Sequence, residues 1–168
     1  MAKPGYPTDA IIAVTYRCDA RCQMCNIWKI DPQEFLTVDD YAKVPSTLRD
    51  INISGGEAFM RKDLVDIVKT VHDKCGGPRI VVSTNGFRQD QIITKMEDLR
   101  KLIPNIGIVV SLDGIGEIHN KIRVIPKSYY KSLVTLKALK EREFKNVRIG
   151  FNAMYDNVGE MEKVYDLA

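Results

Sequence analysis

Short runs rich in Ile and Val alternate with longer amphipathic stretches along the whole chain, and that alternation leaves few folds open. The apolar runs occupy residues 10–15, 50–54, 79–83, 107–111 and 147–151. They mostly lack period-2 polarity, as strands buried on both faces do, and their shortness and flanking turn residues argue against helix. Between them lie helix patterns. Residues 38–48 follow Thr37, 64–74 follow Asp63 and stop at Gly76-Gly77-Pro78, and 90–102 end before Pro104. Residues 128–142 form a Leu/Lys amphipath, and 159–168 begin one more helix. The runs start 28 to 40 residues apart, the length of a βα unit. The expected fold is α/β: about five βα units with parallel strands, curled toward a partial (β/α) barrel. No repeat or linker divides the chain, so one domain over residues 1–168 is expected.

That topology places chemistry in the loops after the strands, at their C-terminal ends. Those loops begin at Arg17-Cys18, Gly55-Gly56-Glu57, Thr84-Asn85-Gly86, Leu112-Asp113-Gly114 and Asn152. Cysteine, glycine and polar residues therefore converge on one face.

Three of the four cysteines, Cys18, Cys22 and Cys25, fall in one loop as CxxxCxxC. With no secretion signal at the N-terminus, such a group reads as metal binding or catalysis rather than disulfides, and the cytoplasm is the expected compartment. A net charge of +3 argues for neither nucleic acid nor a membrane surface as partner. Three thiolates can ligate three irons of a [4Fe–4S] cube and leave the fourth open, which a reactive cluster requires. The competing reading is a structural zinc site, which needs a fourth ligand. Cys75 and His72 lie near the end of the second long helix, which returns down the sheet. A five-residue strand spans about 17 Å, so that end is expected on the far side from Cys18, leaving His119 as the one imidazole on the near side. Cys75 is expected to be a packing residue.

The motif Cys18-Asp19-Ala20-Arg21-Cys22-Gln23-Met24-Cys25, directly after a first strand, resembles the signature of the radical S-adenosylmethionine (SAM) superfamily. The resemblance runs from Ile11 to about Asn157. It implies a [4Fe–4S] cluster on Cys18, Cys22 and Cys25, whose free iron chelates SAM and whose electron splits it to a 5′-deoxyadenosyl radical that abstracts hydrogen. It names no substrate. It places Met24 beside the adenine, where the family usually has an aromatic residue, and matches Gly55, Gly56 and Glu57 to a GGE motif whose backbone binds the SAM amino group. Asn85 and Ser111 match segments lining the ribose and methionine portion, Arg123 an arginine that meets the SAM carboxylate, and Asn152 a neighbour of the adenine or ribose. A flavodoxin- or ferredoxin-like reductant is implied as partner. Arg17 and Arg21 suit the net negative cluster.

Two glycines at the second loop also let a ligand approach the backbone, so Gly56→Val is expected to spare the cluster and block SAM. The family core has six βα units and often a C-terminal domain. Five are counted here, so the fifth strand is expected to expose an edge that promotes self-association. The alternative to an enzyme is a metal-stabilised binding module, with zinc or a catalytically silent iron–sulfur cluster.

Overall fold

A computed structural model of the protein describes residues 5–31 and 36–168. Residues 1–4, part of the stretch in which no secretion signal is expected, lie outside the described residues. Five strands form one parallel sheet in sequential order: β1 (Asp9–Ala13), β2 (Asp50–Ser54), β3 (Arg79–Thr84), β4 (Gly107–Ser111) and β5 (Val147–Gly150). The helices are α1 (Val38–Tyr41), α2 (Leu64–Lys74), α3 (Gln89–Leu102), α4 (Glu117–Arg123), α5 (Ser128–Glu141) and α6 (Met161–Leu167). The α/β architecture with parallel strands is as expected, and each strand lies within two residues of its expected bounds. Among the described residues, no helix is long and apolar enough to cross a membrane.

The strands are not buried on both faces. Ile51, Ile53, Ile80, Val82, Ile108 and Val110 are fully buried beneath the helices, with Leu64, Ile67, Ile92, Met96, Leu99 and Leu139 packed in the same core. Alternate positions such as Asn52, Val81 and Val109 are only half-buried, and Ile11 is 77% exposed. Among the described residues helices pack on one face only, so the other face is left to line the hollow of a partial barrel. A run of Ile and Val cannot tell these two cases apart, because the hollow face carries apolar side chains as well.

Two helices depart from the sequence pattern. The stretch expected as helix over residues 38–48 yields four residues, Val38–Tyr41. Pro45 lacks an N–H and disfavours helical backbone in the residue before it, so the chain runs on as turns that bury Leu48. The short helix α4 was not foreseen. It starts after Gly114 and Gly116, both at positive φ, and ends at Val124 in the left-handed conformation.

Candidate active site

The loop after β1 is held by the loop after β2. Val14 donates its N–H to Ser54 O at 2.9 Å, Gly56 to Thr15 O at 2.7 Å, and Glu57 to Arg17 O at 2.7 Å. This juncture is tight. A Cβ at Gly55 would lie 2.4 Å from Thr15 O, and one at Gly56 would lie 2.2 Å from Arg17 O. The two glycines therefore let two protein backbones meet, and the Gly56 and Glu57 amides are occupied there rather than turned to a ligand. Gly56→Val would disturb the residue before Cys18, so the expectation that it spares the cluster is revised.

The cysteine loop next rests on α4. Arg21 donates its N–H to Arg123 O (3.1 Å) and Gln23 donates to Ile122 O (2.9 Å), while Gln23 Nε2 donates to Lys121 O (3.1 Å). These carbonyls belong to the last turn, where the C=O groups have no N–H donor within the helix. A third tie is Asp19, whose carboxylate accepts from Asn85 Nδ2 at 2.7 Å and from Arg88 Nε at 2.8 Å. Asp19 was not singled out in the sequence, where nothing marks a carboxylate as facing a segment 66 residues away.

Cys18, Cys22 and Cys25 then line one cleft of about 260 Å³, together with Met24, Gly55, Gly56, Asn85, Ser111, Arg123 and Asn152. Ala20, Ile27, Ser54, Ser83 and Thr84 complete its wall and were not named as site residues. The convergence of strand ends is thus as expected. Each thiol meets a nitrogen donor: Ala20 N–H to Cys18 Sγ (3.4 Å), Ile27 N–H to Cys25 Sγ (3.5 Å), and Arg123 Nη1 to Cys22 Sγ (3.6 Å). Burial pushes the Cys18 thiol up to about 11, against the Ala20 N–H. Burial raises Cys22 as well, opposed by the Arg123 guanidinium. Metal uptake here would release protons. Three larger hollows, about 540 Å³ beside β5 and α6, about 420 Å³ along α5 and about 370 Å³ over Asp9, Asp50 and Arg79, contain no cysteine or histidine, so volume alone does not locate the chemistry.

Several expected contacts are already used within the protein. Asn85 Oδ1 accepts from Phe87 N–H (2.9 Å), and its amide holds Asp19. Arg123 pairs with Asp113 at 2.6 Å. Asn152 lines the cleft and its N–H donates to Asp113 Oδ1 (3.0 Å). Met24, 37% exposed, sits at the cleft wall. Cys75 is buried near Pro45 O, and its own carbonyl accepts from Arg49, which directly precedes β2; it therefore lies at the opposite end of the sheet. His119 is buried, its Nδ1 accepting from Asp113 N–H at 3.0 Å, and burial pushes its pKa down to about 3.

The Glu57 side chain lies outside the cleft lining. It is fully buried and accepts from Thr84 Oγ1 (2.8 Å), Asn85 N–H (2.8 Å) and Phe59 N–H (3.2 Å), which stitches the β2 loop to the β3 loop. Desolvation pushes its pKa up to about 7, against those three donors, with Asp19 adding repulsion. Lys95 lies on the same side of the core, donating to Phe59 O at 2.9 Å. Folded Glu57 retains a proton that the unfolded chain releases, so its contribution to stability falls as pH rises from about 4.5 to about 7. His119 acts oppositely: the unfolded chain binds a proton below about 6.5 that the folded one refuses down to about 3, so stability rises with pH across that interval. The two slopes offset each other between about 4.5 and 6.5. Glu57→Gln is expected to lower the melting temperature and to expose the His119 slope as a steeper rise over that interval. Melting curves across pH check this, and parallel curves for variant and wild type would refute it.

The comparisons with known proteins agree with this geometry. The family model described as Radical SAM superfamily matches residues 12–168. The chain is 31% identical to Fe-coproporphyrin III synthase of Methanosarcina barkeri, over 92% of this chain and 39% of that protein. It is 31% identical to GTP 3′,8-cyclase of Actinobacillus pleuropneumoniae, over 62% of this chain and 32% of that protein. The chain thus spans well under half the length of these relatives. Among solved structures, Streptococcus suis SuiB bound to S-adenosylmethionine matches with a TM-score of 0.73 at 17% identity, covering 94% of this chain and 37% of that one. The anSMEcpe structure with bound AdoMet matches at 0.71 and 16%, covering 94% of this chain and 46% of that one.

Proposed function

The chain belongs to the Radical SAM superfamily, and on that premise we propose that it is the core of an enzyme that cleaves SAM reductively to abstract hydrogen from a substrate. The observation that carries this reading is the set of three cysteines on one cleft at the C-terminal strand ends, with no fourth cysteine or histidine in its lining. Three thiolates suit a cube with one open iron. A single zinc ion needs its donors to converge on one point, and among the described residues no three His, Cys, Asp or Glu side chains are so grouped. A cube spreads its thiolates over three corners, so they need share only a pocket. When bound, the cluster and SAM supply a 5′-deoxyadenosyl radical that takes a hydrogen atom from substrate.

This chain's own residues would hold and orient that chemistry. Cys18, Cys22 and Cys25 ligate, with the Ala20 and Ile27 amides and Arg123 donating to the sulfurs. Met24, Gly55, Ser111, Asn85 and Asn152 lie where SAM would contact the wall. Gly56 lines the same cleft, while the buried Glu57 side chain positions the loops. At about 260 Å³ the cleft is near the lower end of ordinary ligand sites, roughly 300–1,000 Å³, so SAM would extend beyond the cleft mouth. Arg17, Arg21 and Lys29 are exposed around the cysteine loop, which favours an acidic flavodoxin- or ferredoxin-like reductant.

The test is anaerobic reconstitution with iron and sulfide, followed by SAM and dithionite, with 5′-deoxyadenosine as the readout. A fully loaded protein that forms none would leave a silent iron–sulfur module, and a protein that retains zinc instead would leave a scaffold. We further propose that the 168-residue chain taken alone self-associates through β5, which pairs with β4 alone among the described residues. An open edge with Val147 and Ile149 half-buried favours pairing with another chain. Sedimentation over a concentration series should show a rising average mass. A concentration-independent monomer would end that proposal.

A further inference from the structure

We propose that Arg123 and Asp113 form a buried charge-matched pair that acts on the Cys22 ligand and sets the reduction potential of the cluster; this rests on the cluster reading above. Arg123 is only 9% exposed. One end of its guanidinium donates to Cys22 Sγ at 3.6 Å, and the other approaches Asp113 Oδ2 at 2.6 Å. The contact with Asp113 is ionic without hydrogen-bond alignment, so Oδ2 lacks an aligned donor, and Arg123 Nε likewise has no partner. Asp113 is fully buried, and its remaining oxygen accepts from the Asn152 N–H. Beside them His119 is neutral, so it adds no charge to the balance.

The pair is more than packing. The Arg123 main chain already ties down the cysteine loop through its carbonyl and Arg21 N–H, so the loop's placement does not require the guanidinium. A buried ion pair is commonly no more stabilising than apolar residues of the same volume. What the guanidinium adds is a cationic N–H donor to one ligating sulfur. Such a donor draws electron density from the sulfur and stabilises the more negative, reduced cluster. The Asp113 carboxylate works in the opposite sense, because in a low-dielectric site it offsets most of that positive charge. Arg123 therefore raises the potential and Asp113 holds it down. Loss of either should move the potential, and the directions should differ.

The experiment is an anaerobic redox titration of the reconstituted protein without SAM, followed by electron paramagnetic resonance of the reduced cluster. Arg123→Gln should lower the reduced-to-oxidised ratio at a given potential by about tenfold, which is 59 mV for one electron. Asp113→Asn should raise that ratio by a similar factor. Arg123→Lys, which keeps the charge and loses the planar fork, should fall between wild type and Arg123→Gln. A purely structural role would give variants of reduced cluster content at the wild-type potential. Loaded variants at that potential, or both shifted the same way, overturn the proposal. Where Arg123→Gln takes up no cluster, Asp113→Asn decides alone: an upward shift supports the pair, and no shift or a downward one refutes it. A wild-type chain that loads no cluster removes the premise and the pair with it, an outcome distinct from loaded variants that fail to shift.

Discussion

Cys18→Ala, Cys22→Ala and Cys25→Ala are each expected to abolish the brown iron–sulfur chromophore, whereas Cys75→Ala is expected to keep it in full. The three loop cysteines line one cleft, and each sulfur already receives a nitrogen donor. Removing one leaves two of the proposed ligands in a cleft whose lining holds no further thiol and no imidazole among the described residues. Cys75 lies beside Pro45 and Arg49, at the N-terminal end of β2. Its loss leaves a small cavity in a packed corner, a cost of about 1 kcal/mol or somewhat more, with no route to the cluster. Iron and sulfide content with the visible spectrum of each reconstituted variant provide the check. Retention of the chromophore in Cys22→Ala, or its loss in Cys75→Ala, would sink the assignment of ligands.

Strand positions and the three cysteines were legible because each rests on local pattern. Short runs of Ile and Val bounded by Gly, Asp and Pro mark strands, and the xxx/xx spacing marks the loop. What lies between the loops was not legible. Asp19 meets Asn85 and Arg88 across 66 and 69 residues of chain. Arg123 is held by Asp113, where an arginine aimed at a ligand was expected. Glu57, read as part of a ligand-binding motif, is a buried stitch between two loops. The types of Arg123 and Glu57 fitted the family pattern, but the partners of all three residues are set by how the strand-end loops pack. Helix α4 shows the same limit. Its seven residues are too few for a clear amphipathic period, yet its last carbonyls seat the cysteine loop. The opposite error at residues 38–48 came from following apolar spacing past Pro45, whose covalent constraint outweighs it.

Gly56→Ala is expected to destabilise the whole protein and to empty the cluster site, a larger effect than a blocked ligand would give. The added Cβ would stand 2.2 Å from Arg17 O, 2.7 Å from Arg17 C and 2.9 Å from Tyr16 O. All three are backbone atoms, so no side-chain rotation can relieve the contact. The loops must part, which strains or breaks the hydrogen bonds from Gly56 N–H to Thr15 O and from Glu57 N–H to Arg17 O. Overpacking of this kind costs about 1–3 kcal/mol, and each hydrogen bond lost adds about 1 kcal/mol. For a chain of 168 residues that sum lowers the melting temperature by roughly 10 °C. Arg17 directly precedes Cys18, so the same displacement moves the first of the proposed cluster ligands, and iron content should fall with the melting temperature. Gly159→Ala is the control: a Cβ there meets nothing within 4 Å, so both quantities should stay at wild-type values. The informative alternative is a Gly56→Ala protein that melts normally, loads its cluster fully and yet shows no SAM-induced change in the electron paramagnetic resonance signal. That result would mean that the glycine makes room for the ligand after all, and that the close approach of Gly56 to Arg17 relaxes at little cost.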